Sequence, residues 1–553
     1  MIRAIFVIAT LSSLVRGSPT PADQEAFGLP DDLLVGAGTA AIQTEGAWDE
    51  DGKGESLIDY VFHTGKLESH GFQAAHTHDG GADSYHRYKD DVAMAAKLKL
   101  QMYRFSISWA RVLPEADASK PNPKGVQFYH NLIDEIHAHN MTPLVTLYHF
   151  DHPAILEQEF KGWLNKKMVA KFREYATFIF KEYGHKVKMW TSINEPNVYC
   201  SYWPNLEVQA EVLEPEDAKN VYPCLHHFIL GHGEAHKALA ASGHDGVIGF
   251  TVTTLNSRPN STRTEDAYAS EAFNQFFTGM LLHPLVFGDY PPTVKELAKN
   301  KLPVFTEDEK AMIKNSTDYI GLNVYYGMLV SYRDPKTTQM AVDMPLRQLF
   351  QELNFVNVGY RDSQGGTIDK FPLNMVFNLS AKQSSSLSQS HRHQHRVRCG
   401  PLQIAPDAMR SALAWTWFQY KKPIIITENG VGDKNMAGVE DHKRAVYYSA
   451  FLRSMVSAVR ELGVRVIGYC AWSLIDSFEW SQGYDRPFGL IHVDYHGGSY
   501  NRSLKDSSSF WIELADRRAV PVVDMPSSAP APTRAWLVLV AAASARVLLQ
   551  RKY

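Results

Sequence analysis

The sequence predicts an α/β protein, a single (β/α)8 TIM barrel with extended loops, because eight apolar or β-branched runs recur along the chain. Amphipathic stretches with apolar residues at helical spacing separate them, for example residues 83–99 and 169–184. Such alternation is typical of a parallel sheet, and eight strands are the number that closes a barrel. The runs are residues 33–41, 103–108, 143–149, 188–194, 247–252, 319–326, 423–429 and 466–474.

Two of the predicted strands run into a glutamate. Glu195 follows the fourth run in "TSINEP", and Glu428 closes the seventh in "IIITENG". His149 ends the third run. The active site of a (β/α)8 barrel is built from residues at the carboxyl ends of its strands, so both carboxylates are expected to face one pocket. A buried glutamate is costly unless it is partnered or used.

Length and composition fit one large globular domain. The chain has 553 residues, a size that barrels with insertions reach. Apolar residues make up 44% and charged residues 21%, which argues against long disorder. The net charge of −4 gives no electrostatic reason to expect a nucleic-acid partner. Aromatic residues, at 12%, suit the core first and also a cleft that stacks on sugar rings.

Both termini contain segments that resemble processing signals. Residues 1–17 combine Arg3, a short apolar run and Gly17 at the cleavage point, as in a secretory signal peptide. Residues 516–553 contain small residues, a spacer and an apolar end, like a GPI-type anchor signal. Arg546 and the basic end argue against that interpretation, and a frayed tail or a gene-model artefact is the alternative. We expect a secreted, extracellular protein, lipid-anchored only if the tail is an anchor signal.

Export implies oxidising surroundings, in which cysteines can pair. Cys200 and Cys224 bracket a polar loop and are the favoured disulfide, which leaves Cys399 and Cys470 free. Asparagines in glycosylation sequons are expected to carry glycans in an exported chain. They are Asn260, Asn315, Asn378 and Asn501, whereas Asn140 is discounted because Pro143 follows its threonine.

One stretch has neither strand nor helix periodicity. Residues 379–401 are rich in Ser, His and Arg, as an atypical low-complexity insert would be. The alternating His391, His393 and His395 would suit a metal, but a flexible loop is the favoured interpretation. "HGEAH", residues 232–236, lacks the glutamate after the first histidine that a zinc protease needs. We predict no metal and no cofactor.

Two glutamates in one barrel mouth suit a glycosidase. One carboxylate attacks the anomeric carbon, and the other, kept protonated, gives its proton to the leaving oxygen. A separation of about 5–5.5 Å between the carboxyl groups gives retention of configuration through a covalent glycosyl-enzyme. Spacing alone does not say which glutamate has which role, and two glutamates in unrelated ion pairs are the alternative.

The sequence resembles glycoside hydrolase family 1, the β-glucosidase family, from about residue 28 to 515. "WTSINEP" is similar to the acid/base motif of that family and "ITENG" to its nucleophile motif. The resemblance implies that Glu195 is the acid/base, that Asn194 binds the 2-hydroxyl of the sugar, and that Glu428 is the nucleophile. It also implies a secreted animal member, of the insect type, that needs no cofactor.

Further family motifs imply roles for single residues. Arg104 in "YRFSISWARVLP" keeps the nucleophile ionised, and Tyr325 in "IGLNVYY" donates a hydrogen bond to it. The remaining matches imply sugar-binding residues, with Trp472 as the stacking floor. The residues are Gln43, His149, Asn323, Trp472, Glu479 and Trp480.

The resemblance implies a retaining, exo-acting β-glycosidase that hydrolyses terminal β-D-glucosides, with β-galactosides or β-fucosides tolerated. The substrate partner is then a small glycoside or oligosaccharide. Glu479 implies a neutral sugar, since relatives that act on 6-phosphorylated sugars have serine there. Two alternatives stay open, namely a thioglucosidase (myrosinase-like) activity at the same site and a catalytically impaired, receptor-like relative that binds carbohydrate.

Four positions depart from the family pattern. Phe150 replaces a Trp in "TLYHFDHP", Lys161 replaces a Gly in "KGW", and Pro487 replaces an Arg. Pro401 stands where a Trp usually forms the aglycone platform. Either the aglycone site is unusual or residues 379–401 come from a mis-spliced exon, and the second explanation is favoured. The glycone motifs are intact.

Overall fold

The computed structural model describes most of the chain. The described residues are 27–67, 78–333, 351–353, 356–361, 367–368, 405–433, 436, 438–495 and 497–523. Several predictions fall outside these residues and are not tested by the structure. They are the signal peptide, the insert at 379–401 with its three histidines and Pro401, the tail from residue 524, Asn378 and Cys399.

Eight parallel strands close into a barrel. They are β1 (Leu34–Gly38), β2 (Met102–Ser106), β3 (Thr142–Tyr148), β4 (Met189–Asn194), β5 (Val247–Thr254), β6 (Tyr319–Val324), β7 (Ile424–Asn429) and β8 (Val466–Trp472). Each pairs with the next in chain order, and β8 closes the barrel on β1, with Gly38 opposite Trp472. Each strand overlaps one of the eight predicted runs, so the predicted (β/α)8 barrel is confirmed.

Helices surround the barrel, and their apolar faces pack against it. The helix Pro123–Ala138 shows why the sequence folds so, because the Asn122 side chain caps its first turn and Pro123 stands at its first position. The helices are Ala41–Thr44, Leu57–His63, Ser84–Lys97, Trp109–Val112, Pro123–Ala138, Ala154–Phe160, Lys167–Tyr183, Pro196–Gln209, Val221–Ala241, Thr264–Asn274, Met280–Phe287, Pro292–Ala298, Glu307–Ile313, Asp407–Tyr420, His442–Leu462 and Ser508–Arg517.

Two small sheets lie in the loops. One has four strands in the order Thr367–Ile368, Val356–Arg361, Met328–Tyr332 and Ser257–Pro259, and the other pairs Ile491–Val493 with Arg502–Leu504. Short 3-10 helices cover Gly162–Leu164, Asp217–Lys219, Lys299–Lys301, Gln351–Leu353 and Trp480–Gln482, and Gln275–Gly279 is π-helical. The loops of the barrel are therefore long enough to contain their own secondary structure, in agreement with the predicted extended loops.

The core has two layers. Inside the barrel a small cluster of side chains fills the space between the strands, as in a packed core rather than a pore. It consists of Met102, Leu144, Tyr319, Ile425 and Cys470. A larger apolar layer separates the barrel from the helices. The barrel interior below the mouth is therefore filled by packed side chains.

The predicted disulfide is present between Cys200 and Cys224, and Cys470 is a buried free thiol. The disulfide joins the helix Pro196–Gln209 to the helix Val221–Ala241. The sequon asparagines Asn260, Asn315 and Asn501 are exposed. None of the helices that the structure describes is long and apolar enough to cross a membrane.

Candidate active site

The two glutamates lie at the carboxyl ends of β4 and β7, which β5 and β6 separate, at the mouth of the barrel. Glu195 is the residue directly after β4, and Glu428 is the penultimate residue of β7. Asn323 of β6 pairs in register with Glu428 and donates a hydrogen bond from Nδ2 to Glu195 Oε1, at 2.7 Å. One side chain thus connects the two strand ends, and both carboxylates face the same site.

Two donors hold the Glu428 carboxylate, one on each oxygen. Arg104 Nη1 donates to Glu428 Oε1 at 2.7 Å, and the Tyr325 hydroxyl donates to Oε2 at 2.7 Å. Arg104 and Glu428 are both buried, so their charges attract each other with little screening by water. Burial raises the pKa of Tyr325 well above its ordinary value, so its hydroxyl remains a donor. Glu428 is therefore held as an oriented carboxylate.

Glu195 has a different environment. Its Oε1 accepts hydrogen bonds from Asn323 Nδ2 and from the Thr253 hydroxyl, and it has no cationic partner within 4 Å among the described residues. Burial, and after it the nearby charge of Glu428, raise the pKa of the Glu195 carboxyl to about 7. Near neutral pH this group holds a proton that it can give away.

Glu195 also has an unusual backbone conformation. Its φ of 46° and ψ of 53° lie in the left-handed region, which non-glycine residues seldom adopt. The next residue, Pro196, starts a helix, and the Glu195 N–H donates to the Thr251 carbonyl of β5 at 3.0 Å. This sharp turn from strand to helix places the side chain at the barrel mouth, and strained backbone of this kind clusters at functional sites.

Asn194 and His149 extend the network away from the carboxylates. Arg104 Nη2 donates to Asn194 Oδ1 at 2.7 Å, and Asn194 Nδ2 lies 3.4 Å from His149 Nε2. Burial, and then the charge of Arg104, lower the pKa of His149 well below its ordinary value, so the ring is neutral. Its Nε2 then accepts from Asn194, and Nδ1 carries the proton. No described residue pairs with this buried Nδ1–H, which leaves it free for a ligand hydroxyl.

Gln43 and Glu479 come from opposite ends of the chain and meet at the barrel mouth. Gln43 Nε2 donates to the Phe478 carbonyl at 2.7 Å, and its Oε1 is buried without a partner among the described residues. The Ser477 hydroxyl donates to Glu479 Oε1 at 2.9 Å, and burial raises the pKa of Glu479 well above its ordinary value. An amide and a carboxyl group with spare capacity suit a ligand rich in hydroxyl groups.

Aromatic rings complete the site. The Trp472 ring stacks on the His149 ring with centroids 6.0 Å apart and an interplanar angle of 15°. Trp480 is half-buried, and its ring lies 5.8 Å from Phe150 and 5.6 Å from Trp203. The Phe150 position thus belongs to an aromatic wall, although it departs from the family's Trp. Flat rings of this kind suit the apolar face of a sugar.

The sequence analysis missed Thr253 and Thr427. The Thr427 hydroxyl donates to Asn323 Oδ1 at 2.6 Å, which turns Nδ2 of that amide toward Glu195. Thr427 directly precedes Glu428 inside the "ITENG" motif. This position beside the predicted nucleophile is a sequence signal that could have identified Thr427 as a residue of the site. Thr253 lies one residue beyond the predicted run 247–252 and had no such signal.

The "HGEAH" histidines belong elsewhere. His232 is buried against the Ser192 hydroxyl at 2.7 Å and the Ser316 carbonyl at 3.1 Å, which is a structural role. In the part of the chain that the structure describes, no group of three or more His, Cys, Asp or Glu side chains is arranged to hold a metal ion.

Glycoside hydrolases cleave sugars with a pair of carboxyl groups of which one is kept protonated, and the two glutamates at this barrel mouth fit that requirement. The model of glycosyl hydrolase family 1 matches residues 25–520, and the chain belongs to that family. It is 33% identical to β-glucosidase 30 of Arabidopsis thaliana, over 93% of this chain and 87% of that protein. It is 32% identical to myrosinase 1 of Brevicoryne brassicae, over 88% of this chain and 98% of that protein.

The fold also matches solved structures. One is the rice β-glucosidase Os3BGlu6, solved as a mutant in a covalent complex with Glc, with a TM-score of 0.75 and 29% identity. The match covers 89% of this chain and 99% of that chain. Another is aphid myrosinase, with a TM-score of 0.74 and 30% identity over 89% of this chain and 99% of that one.

Proposed function

We propose that this protein is a retaining, exo-acting β-glycosidase that hydrolyses terminal β-D-glucosides through a covalent glycosyl-enzyme. Glu428 is the nucleophile and Glu195 the acid/base. The observation that carries the proposal is the difference between the two carboxyl environments. Arg104 and Tyr325 hold Glu428 as a carboxylate, while burial and the charge of Glu428 keep a proton on Glu195 near pH 7.

The reaction has two steps. In the first, a Glu428 oxygen bonds to the anomeric carbon while the bond to the leaving oxygen breaks, and Glu195 gives that oxygen its proton. In the second, Glu195 takes a proton from water, whose oxygen bonds to the anomeric carbon and releases Glu428. Two inversions give net retention. The covalent Glc complex of the rice relative supports an intermediate of this kind.

The groups around the carboxylates support a neutral hexose as the glycone. Arg104 donates to Asn194 at 2.7 Å, and we assign this oriented amide to the hydroxyl next to the anomeric carbon. Gln43 and His149 keep buried polar atoms without partners among the described residues, and Glu479 adds a buried carboxyl group that can bind a hydroxyl. Hydroxyls of glucose suit these groups. A β-galactoside differs from a β-glucoside only in the configuration at C4, and a β-fucoside also lacks the hydroxyl at C6. No cofactor or metal enters the proposed chemistry.

The test is hydrolysis of an activated aryl β-glucoside by the purified mature chain, with the first-formed sugar followed by NMR. Release of the β-anomer is expected. Release of the α-anomer would refute the double displacement. A folded sample that binds glucosides without turning them over would instead favour the receptor-like alternative, which both intact carboxylates argue against.

A thioglucosidase activity is the second candidate, because two of the matches reported above are named myrosinases. A thiolate leaves with little help from an acid, so Glu195 does not exclude it. Comparing kcat/KM for an O-glucoside and an S-glucoside with the same aglycone decides between them. A ratio that favours the S-glucoside would make this the main activity.

We further propose that the protein is exported and glycosylated. The disulfide Cys200–Cys224 and the exposed sequon residues Asn260, Asn315 and Asn501 support this location. Mass spectrometry of the protein from its native source tests the glycans, the removal of residues 1–17 and the state of the tail. The animal origin suggested by the sequence remains a prediction.

A further inference from the structure

We propose that Thr253, which no family motif assigned, is a positioning residue that places the acid proton of Glu195 on Oε2 and limits the alkaline pH range of the enzyme. The inference rests on the proposed role of Glu195. It concerns a residue on β5 that touches neither the nucleophile nor any of the predicted sugar-binding side chains through a hydrogen bond of the described structure. Its only such contact with the site is the carboxyl group itself.

Two donors, from the adjacent strands β5 and β6, converge on one carboxyl oxygen of Glu195, which itself follows β4. The Thr253 hydroxyl of β5 donates to Glu195 Oε1, and the Asn323 amide of β6 donates to the same oxygen at 2.7 Å. Thr253 and Asn323 are opposite each other in the register of β5 and β6. The Glu195 N–H is tied to Thr251 of β5 at 3.0 Å, so the backbone that carries the carboxyl group is fixed to the same strand.

The direction of these hydrogen bonds decides where the proton sits. The Thr427 hydroxyl donates to Asn323 Oδ1 at 2.6 Å, so the Nδ2 group of Asn323 points at Glu195 and can only donate. Oε1 already accepts from both the Asn323 N–H and the Thr253 hydroxyl, so a proton on Oε1 would displace one of these two donors. The protonated form therefore carries its hydrogen on Oε2, which makes no hydrogen bond to any side chain that the structure describes. Oε2 is then the atom from which the leaving oxygen is protonated.

The same two donors also favour the ionised form of the carboxyl group. Burial and the charge of Glu428 raise the pKa of Glu195, whereas the hydrogen bonds from Thr253 and Asn323 lower it. Without the Thr253 hydroxyl, the carboxylate loses a donor and the protonated acid persists to higher pH. The variant is therefore expected to keep its activity to higher pH than the wild type. A merely structural role of Thr253 would not produce this change.

The experiment compares the pH profiles of kcat/KM for an unactivated β-glucoside in the wild type and in Thr253→Val, Thr253→Ala and Thr253→Ser. Valine has nearly the shape of threonine and lacks the hydroxyl, and alanine serves if valine disturbs the strand. We expect the alkaline limb of the valine and alanine variants to move up by about one pH unit. The reason is that the loss of one hydrogen bond to a charged carboxylate changes its pKa by roughly this amount. The serine variant keeps the hydroxyl and the wild-type limb.

The alkaline limb must be assigned to Glu195, and an activated aryl glucoside does this. Its leaving group needs no proton, so the limb and the effect of Thr253→Val should both vanish with it. An unmoved limb, a limb that moves down, or equal shifts in the valine and serine variants would overturn the proposal.

A direct titration separates this proposal from the proposed function. The Glu195 carboxyl carbon, labelled with ¹³C and identified by its loss in Glu195→Gln, should titrate near pH 7 in the wild type and higher in Thr253→Val. If the titration shifts but no glycoside is hydrolysed, the proposed function fails and the effect of Thr253 stands. If glycosides are hydrolysed and the titration is unchanged, only the role of Thr253 is refuted.

Discussion

Replacing Glu195 by alanine should slow the enzyme by an amount that depends on the leaving group. A proton donor with a pKa of about 7 helps only leaving groups that are more basic than itself. Alkyl glucosides should therefore lose roughly 10²- to 10⁴-fold in kcat/KM, which is the usual contribution of a general acid. This loss corresponds to roughly 2.7 to 5.4 kcal/mol of transition-state stabilisation. Glucosides of strongly acidic phenols should lose little in the first step.

The assay is a series of aryl glucosides whose phenols range from strongly acidic to weakly acidic, measured with the wild type, Glu195→Ala and Glu195→Gln. The ratio of wild-type to variant kcat/KM should stay flat for phenols more acidic than about pKa 7 and rise for the others. Azide should restore turnover of activated substrates by the alanine variant, because it fits the vacated space and needs no general base. An equal loss across the whole series would refute the assignment of Glu195 as the acid.

Two further predictions concern the nucleophile and the fold. Glu428→Gln should abolish turnover of activated and unactivated glucosides alike, because an amide held by Arg104 and Tyr325 cannot form the glycosyl ester, and wild-type rates in a folded sample would exclude Glu428 as nucleophile. Lys161→Gly should be more stable than Lys161→Ala by about 1 kcal/mol in denaturant unfolding, because residue 161 has a φ of 65° that glycine adopts without strain. Both variants remove the exposed ion pair with Asp217, so their difference isolates the backbone, and equal stabilities would contradict the strain.

The sequence predicted the strands well and the contacts between them poorly, for a physical reason. A strand is a local pattern of apolar and β-branched residues, so all eight runs could be recognised. Two side-chain partners of the Arg104 guanidinium are Asn194 and Glu428, which are 90 and 324 positions away, and only barrel closure brings them together. Local patterns contain no such information. The family resemblance supplied it, as an expectation, for the motifs that it covers.

Thr253 shows where that help ends. It has no motif, and a threonine near the end of a strand is an ordinary β-branched residue. Only the register of β5 against β4, in which Asn194 lies opposite Thr251, places its hydroxyl beside Glu195. Similarly, the left-handed φ of Lys161 explains in structural terms why a lysine at the glycine position of "KGW" was conspicuous.

On the proposed roles, Glu195 must change from acid to base between the two steps, and the site contains a cause for that change. The negative charge of Glu428 is the second largest reason, after burial, for the raised pKa of Glu195. Once Glu428 is esterified to the sugar, that charge disappears, and Arg104 is left as a cation that favours the Glu195 carboxylate. The loss of the Glu428 charge lowers the pKa of Glu195, while Arg104, Asn323 and Thr253 continue to favour the carboxylate as they do in the free enzyme.

The glycosyl-enzyme should therefore lose the Glu195 proton at a lower pH than the free enzyme. A slow substrate such as an activated 2-fluoroglucoside traps the intermediate, and ¹³C NMR of the Glu195 carboxyl group gives the pH of its titration in each state. We expect a midpoint well below 7 in the trapped form, against about 7 in the free enzyme. Equal midpoints would mean that burial alone raises the pKa, and the change of role would then need a different cause, since burial stays the same in both steps.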